Sequence, residues 1–205
     1  MDENFKCFLE DFGPAIDKRH VPPSSIERYR GKLPDQLLAY WKEHGWCGYA
    51  DGLFWTVDPQ EYEPVLKAWI GNTPFMEKDA YHIIARGAFG KLYFWGEKTG
   101  DSLMVFAPGS YCIPNESIFV GDKMNFGMQV FFGGLSRGEN DFDGMFGPAL
   151  KNLGRLKQDE MYGFVPAIGL GGASTLDHLH KIKAVEHLVL LAQLESLNVI
   201  TSPPP

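Results

Sequence analysis

Apolar positions recur along this chain with two spacings, and the change from one to the other marks its elements. Between Glu3 and Phe12 they fall at Phe5, Phe8, Leu9 and Phe12, the spacing of a helix face, and Gly13-Pro14 ends the run. A polar linker, His20-Val21-Pro22-Pro23-Ser24, leads through Ser25–Tyr29 to the most informative stretch, Leu33–Trp55. Pro34 suits a first helical position, because the N–H it lacks has no intrahelical partner there in any case. Asp35 and Gln36 put negative charge and acceptors in the first turn. Leu37, Leu38 and Trp41 make one apolar stripe, and Gly45 supplies a residue able to turn left-handed. Beyond the glycine the spacing shifts. Leu53, Phe54, Trp55 and Val57, bounded by Gly52 and Asp58-Pro59, read as a strand. Trp41 belongs to the core; Trp46 and Tyr49 sit in the intervening turn, where an aromatic either packs or faces a partner.

A helix follows over Pro59–Trp69, with Val65, Leu66 and Trp69 on its apolar side and Gly71-Asn72-Thr73-Pro74 ending it. Tyr81–Ala85, Lys91–Gly96 and Ser102–Ala107 are strand-like runs punctuated by Gly87, Gly90 and Thr99-Gly100-Asp101, as hairpins would be. Tyr111–Pro114 and Ser117–Phe119 are expected to add short strands. Over residues 122–136 periodicity does not separate helix from strand, and length favours helix. Phe146–Leu153 and Lys183–Ser196 read as helices, the latter apolar at Val185, Leu188, Val189, Ala192 and Leu194. Thr201–Pro205 is expected to fray. The class is α+β: an antiparallel sheet of four to five strands with helices packed on one face, plus a smaller, mainly helical C-terminal part. The division falls near residue 110, giving parts 1–110 and 111–205 packed closely together.

Charge narrows the partner. The net charge is −7, and residues 1–79 carry 14 acids against 9 bases, residues 80–205 12 against 10. With no basic stripe the footprint of a nucleic-acid binder is missing; an acidic surface attracts a basic protein instead. Cys7, Cys47 and Cys112 are scattered and form no disulfide framework, which favours a reducing compartment. The acidic start Met1-Asp2-Glu3-Asn4 has no apolar run behind it, and runs such as Leu188–Ala192 are too short to cross a membrane. A cytoplasmic location is expected.

Candidate chemistry is thin. His178 and His180, with His187 beyond, lack a nearby cysteine to complete a metal set. Gly87-Ala88-Phe89-Gly90-Lys91 has two residues between its glycines instead of the four of a phosphate loop, and reads as a hairpin turn. Gly169-Leu170-Gly171-Gly172 opens no βαβ unit, and Ser174 has no recognisable base. Glu139, Asp141 and Asp143 could hold a cation through oxygen, but the calcium-loop spacing is missing. They form either a solvated acidic loop or a protein-contact loop anchored by Phe142. No catalytic, cofactor-binding or metal residue is assigned. The partner-binding candidates are Trp46, Tyr49, Asp51, Glu139, Asp141, Phe142 and Asp143.

Several segments resemble a known pair of domains. Phe12-Gly13-Pro14-Ala15, the Leu33-Pro34 helix ending at Gly45-Trp46, and Gly52-Leu53-Phe54-Trp55 with Asp58-Pro59 look like the GAD-like domain. Met161-Tyr162-Gly163-Phe164-Val165-Pro166-Ala167, Gly171-Gly172 and Val185-Glu186-His187-Leu188 through Gln193-Leu194 are similar to the C-terminal domain that accompanies it. The pairing occurs in bacterial immunity proteins that neutralise DNase effectors of the type VI secretion system. The resemblance implies a cytoplasmic antitoxin that binds its cognate secreted nuclease directly. The charge and hydropathy of the chain add the expectation that this nuclease has a basic surface and that the chain touches neither nucleic acid nor membrane, and no cofactor is expected. The resemblance carries over no catalytic residue. A non-catalytic regulatory or scaffold module, or an enzyme with a pocket of converging titratable groups, are the alternatives.

Overall fold

The computed structural model describes residues 1–200; Thr201–Pro205, expected to fray, lies outside the described residues. The chain runs through α1 (Glu3–Phe12), β1 (Ile16–Arg19), α2 (Pro23–Tyr29), α3 (Asp35–His44), β2 (Trp46–Tyr49), β3 (Phe54–Thr56), α4 (Glu63–Ile70) and α5 (Phe75–Lys78). Then come β4 (Tyr81–Gly87), β5 (Lys91–Gly96), β6 (Gly100–Phe106) and β7 (Tyr111–Pro114). The C-terminal part holds α6 (Met124–Gly134), α7 (Arg137–Asn140), α8 (Phe146–Leu153), β8 (Glu160–Phe164), β9 (Leu179–Lys183), α9 (Ala184–Leu194) and β10 (Asn198–Val199).

The fold is α+β, with an eight-stranded sheet ordered β1-β2-β3-β4-β5-β6-β7-β10 and a separate β8–β9 hairpin. Neighbours from β1 to β7 pair antiparallel, whereas β10 joins β7 in parallel through Asn198↔Tyr111 and Val199↔Cys112. The sheet is larger than the four to five strands expected, because β1, β2 and β10 are too short to show a period. Ser117–Phe119 is not a strand but part of a strap leading into α6. β2 is formed by close approach: a Cβ on Gly48 would lie 3.0 Å from the Trp55 ring on the paired strand. Only a residue without a side chain lets that ring lie across β2.

Helices cover both faces of the sheet, not the one face expected. Residues directly opposite across a ladder share a face. One row runs Trp55↔Arg86↔Leu92↔Val105↔Cys112, and the other Thr56↔Ala85↔Tyr93↔Met104↔Ile113. On the second face α1, α3 and α6 build an aromatic cluster. Phe5 stacks on Tyr40 at 4.1 Å, Phe8 meets Tyr49 at 4.8 Å and Phe132 at 5.2 Å, and Tyr93 meets Phe131 at 5.5 Å. On the first face Tyr62, just before α4, reaches Arg86, and Trp69 of α4 donates from Nε1 to the Leu188 carbonyl of α9 at 3.0 Å. Leu92 to Gly96 of β5 are buried at every position, the mark of a strand covered on both sides. One hydrophobic core draws on residues before and after 110 alike.

Arg86 ties these parts together. Its side chain is fully buried, with Nε donating to Tyr62 Oη at 2.8 Å and Nη2 to the carbonyls of Gln158 at 2.8 Å and Glu160 at 2.7 Å. The guanidinium also lies 5.4 Å from the Trp55 ring. A buried cation is held here by neutral acceptors and a ring face instead of a carboxylate.

Candidate partner-binding surface

The acidic loop after α7 is built from the inside out. Asn140 is buried, and its Oδ1 accepts from Tyr93 Oη at 3.0 Å while its Nδ2 donates to the Ser136 carbonyl at 3.0 Å. Asp141 accepts from the Phe146 amide at 2.6 Å and so ties the loop to the start of α8. Phe142 is half-buried with its ring centroid 5.6 Å from Phe106, 5.5 Å from Phe89 and 5.1 Å from Phe164. It anchors the loop inward. Asp143 is exposed at φ 54°, and Glu139 is exposed with its carboxylate 3.4 Å from Lys91 Nζ. Glu139, Phe142 and Asp143 line one cavity of about 310 Å³ together with Lys91 and Tyr111.

The other candidates lie elsewhere. Asp51 is exposed at φ 57° and accepts from Arg155 Nη2 at 2.7 Å. Trp46 and Tyr49, considered as partner contacts, are corrected to interior residues, only 3% and 1% exposed. The reason is the sheet itself. β2 alternates, so Tyr49 points into the Phe8 cluster while Trp46 lies on the other face, 5.8 Å from Trp41 and beneath the Arg19 guanidinium at 4.7 Å.

Sequence reading missed a second cavity, of about 410 Å³, beside the acidic loop. Tyr93 and Leu103 from the sheet, Val130 and Phe131 from α6, and Ile118 and Phe119 from the strap surround it. Asp101, Glu116 and Glu139 contribute carboxyl groups against one cation, Lys91. Burial pushes the Asp101 carboxyl up to about 6, an effect that Lys91 opposes. Its residues come from β5, β6, β7, the strap, α6 and the acidic loop, so no local pattern announces the site; an acid opening the strand Gly100-Asp101-Ser102-Leu103 was the one available hint. Ile118, which lines the cavity, is 76% exposed, and Val120 and Phe126, next in sequence to its lining residues Phe119 and Gly127, are 44% and 52% exposed. Phe126 packs edge-on against Phe119 at 5.4 Å. Gly127 permits this, since a Cβ there would come within 2.6 Å of Phe119 Cβ.

The remaining candidate features are structural. A cavity of about 630 Å³ at the β1 edge is lined by charges that satisfy one another, Arg19 with Glu61 at 2.5 and 2.9 Å and Lys183 with Asp159. Ala88 and Phe89 of the glycine-bounded turn are buried, and the Ala88 carbonyl accepts from the Tyr162 amide at 2.9 Å. His178 pairs with Thr175 Oγ1 at 2.9 Å, His180 is exposed, and burial lowers the pKa of His187. Among the described residues, no group of three or more histidine, cysteine, aspartate or glutamate side chains is placed to hold a metal ion, and no helix is long and apolar enough to cross a membrane.

Comparison with known proteins completes the picture. The family model described as GAD-like domain matches residues 3–108, more than half of the chain. The chain belongs to the GAD-like family. Behind that GAD-like domain, residues 125–195 match the model described as T6SS immunity protein Tdi1, C-terminal. This architecture supports an immunity role against a T6SS effector. Among solved structures, Atu4351 from Agrobacterium tumefaciens is similar at a TM-score of 0.87 and 21% identity, covering 100% of this chain and 94% of that one, which shows a shared fold. No curated protein matches the chain.

Proposed function

We propose that this protein is an immunity protein that binds and neutralises a cognate nuclease effector of the type VI secretion system, a DNase, in the cytoplasm of the producing cell. The match of residues 125–195 to a T6SS immunity C-terminal domain carries the reading. Binding rather than catalysis does the work. A nuclease must present basic groups to hold DNA, and a chain of net charge −7 complements such a surface and speeds encounter. The exposed carboxylates of Asp51, Glu139 and Asp143 are the groups offered to that partner, while Asp141 and Phe142 hold the loop in shape. Cys7, Cys47 and Cys112 are all free thiols, which suits a reducing cytoplasm.

Co-expression with the nuclease encoded in the neighbouring reading frame tests this. Restored growth and a complex that survives purification are expected. Growth arrest that persists at full expression of the chain, with no complex recovered, would overturn it.

A further inference from the structure

The cavity between β5–β7, the 115–120 strap and α6 brings apolar walls, three carboxyl groups and one cation together. It opens beside the acidic loop, with Glu139 on its rim, and so is continuous with the surface proposed above. Its walls are apolar: Tyr93, Leu103, Ile113, Val130 and Phe131. Asp101 sits among them half-buried, its carboxylate accepting no side-chain hydrogen bond among the described residues, whereas the buried Asp79 accepts several. Lys91, the one cation present, is already 3.4 Å from Glu139 and 5.2 Å over the Tyr93 ring. Outside, Ile118, Val120 and Phe126 leave apolar surface in water, Phe126 with one ring edge against Phe119.

We propose that this groove receives a segment of the effector that carries a lysine or arginine between apolar residues, the cation meeting Asp101 and the apolar flanks covering Ile118 and Phe126. The inference rests on the immunity reading and adds to it the chemistry of the contact. Charge complementarity selects the occupant: three carboxyl groups face one committed cation, so a second cation is the missing partner and a second acidic segment is excluded. The apolar lip calls for apolar flanks beside the cation.

Titration gives a readout that a general loss of packing would not. Asp101 faces Lys91 from β5, Glu116 from the strap, Glu139 from the acidic loop and the Tyr93 hydroxyl. Its carboxyl titrates near 6, so a bound cation favours the ionised form and affinity falls as pH drops through that value. The test uses the full chain and the purified nuclease from the neighbouring reading frame, with affinity measured by calorimetry between pH 5 and 8. Asp101→Asn is expected to weaken binding about tenfold at pH 7.5 and to flatten the dependence near pH 6 while leaving thermal stability equal or higher. Ile118→Ser with Phe126→Ser is expected to weaken it by a similar factor without that flattening. If the unaltered chain binds and all these variants bind as tightly, the groove is overturned and the immunity reading stands. If the unaltered chain does not bind, the immunity reading fails and the groove falls with it.

Discussion

Replacing Arg86 by methionine keeps much of the side chain's length and removes its five N–H donors. Four acceptors then lose a partner: Tyr62 Oη, the Gln158 carbonyl and the Glu160 carbonyl, each now 2.7 to 2.8 Å from a guanidinium nitrogen, and more weakly the Gly87 carbonyl at 3.4 Å; the first three carry the cost. A buried acceptor left unpaired costs about 1–3 kcal/mol, so the gross loss is roughly 3–9 kcal/mol. The tyrosine hydroxyl can turn and the segment before β8 can take up water, and the mutant no longer desolvates a cation, which together return several kcal/mol. The net expectation is a loss of about 2–4 kcal/mol, or roughly 4–16 °C in melting temperature for a domain of this size. Lysine is no substitute, because one ammonium cannot reproduce a planar fork that spans Tyr62 and two carbonyls. Urea unfolding followed by tryptophan fluorescence measures the loss. Hydrogen exchange places it, and residues 157–164 should be released first because Arg86 holds them to the sheet. A midpoint for Arg86→Met within ~0.5 kcal/mol of the parent would refute the clamp, as would faster exchange confined to α1.

Other outcomes follow from the same contacts. Burial raises the Asp101 carboxyl to about 6 in the fold from its ordinary value of 3.8, so the native state holds its proton over that window; stability should fall by up to about 3 kcal/mol as pH rises from 4 to 6, and Asp101→Asn should remove that slope in pH-dependent melts. Asp79→Ala removes acceptors for the Lys98 amide, the Thr99 amide and the Thr99 hydroxyl at 2.7 to 2.9 Å, and should cost about 2–4 kcal/mol with faster exchange at those two amides. Gly48→Ala drives a methyl into the Trp55 ring and should cost roughly 1–3 kcal/mol by urea unfolding, with a changed near-ultraviolet signal from the displaced indole. Phe142→Ala should lower stability by about 2–4 kcal/mol in the isolated protein, a loss that a purely partner-facing ring would not produce.

How far the sequence reached depends on how local each feature is. α1, α3 and the hairpins of β4 to β6 were legible, because Phe5, Phe8 and Phe12 keep helical spacing and Gly90 sits where φ is +92°. Covering of both faces was present in the unbroken run Leu92-Tyr93-Phe94-Trp95, which one-sided strands do not show. Tyr49 was ambiguous because its surroundings are polar in sequence and aromatic in space; Phe8 and Phe54 arrive from either side. Arg86 was passed over, though an arginine inside His82-Ile83-Ile84-Ala85-Arg86-Gly87 is costly unless something distant receives it. The acidic loop was found as a loop, but its division of labour was not. Asp141 and Phe142 serve its shape, and of the candidates there only Glu139, paired with Lys91, and Asp143 are exposed.

The parallel pairing of β10 with β7 has a consequence for how the chain leaves the ribosome. β1 to β7 are made in the order in which most of them lie in the sheet, so each can add to its predecessor as it emerges. Their far edge, at Tyr111 and Cys112, stays open until Asn198 and Val199 have been synthesised, more than 80 residues later. Over that interval the row from Trp55 to Cys112 also waits for α9 and the segment that Arg86 will hold. A nascent chain stalled after β7 is therefore expected to recruit holdase chaperones, and one stalled after β10 has emerged to release them. β10 closes that edge only after the whole C-terminal part has been made.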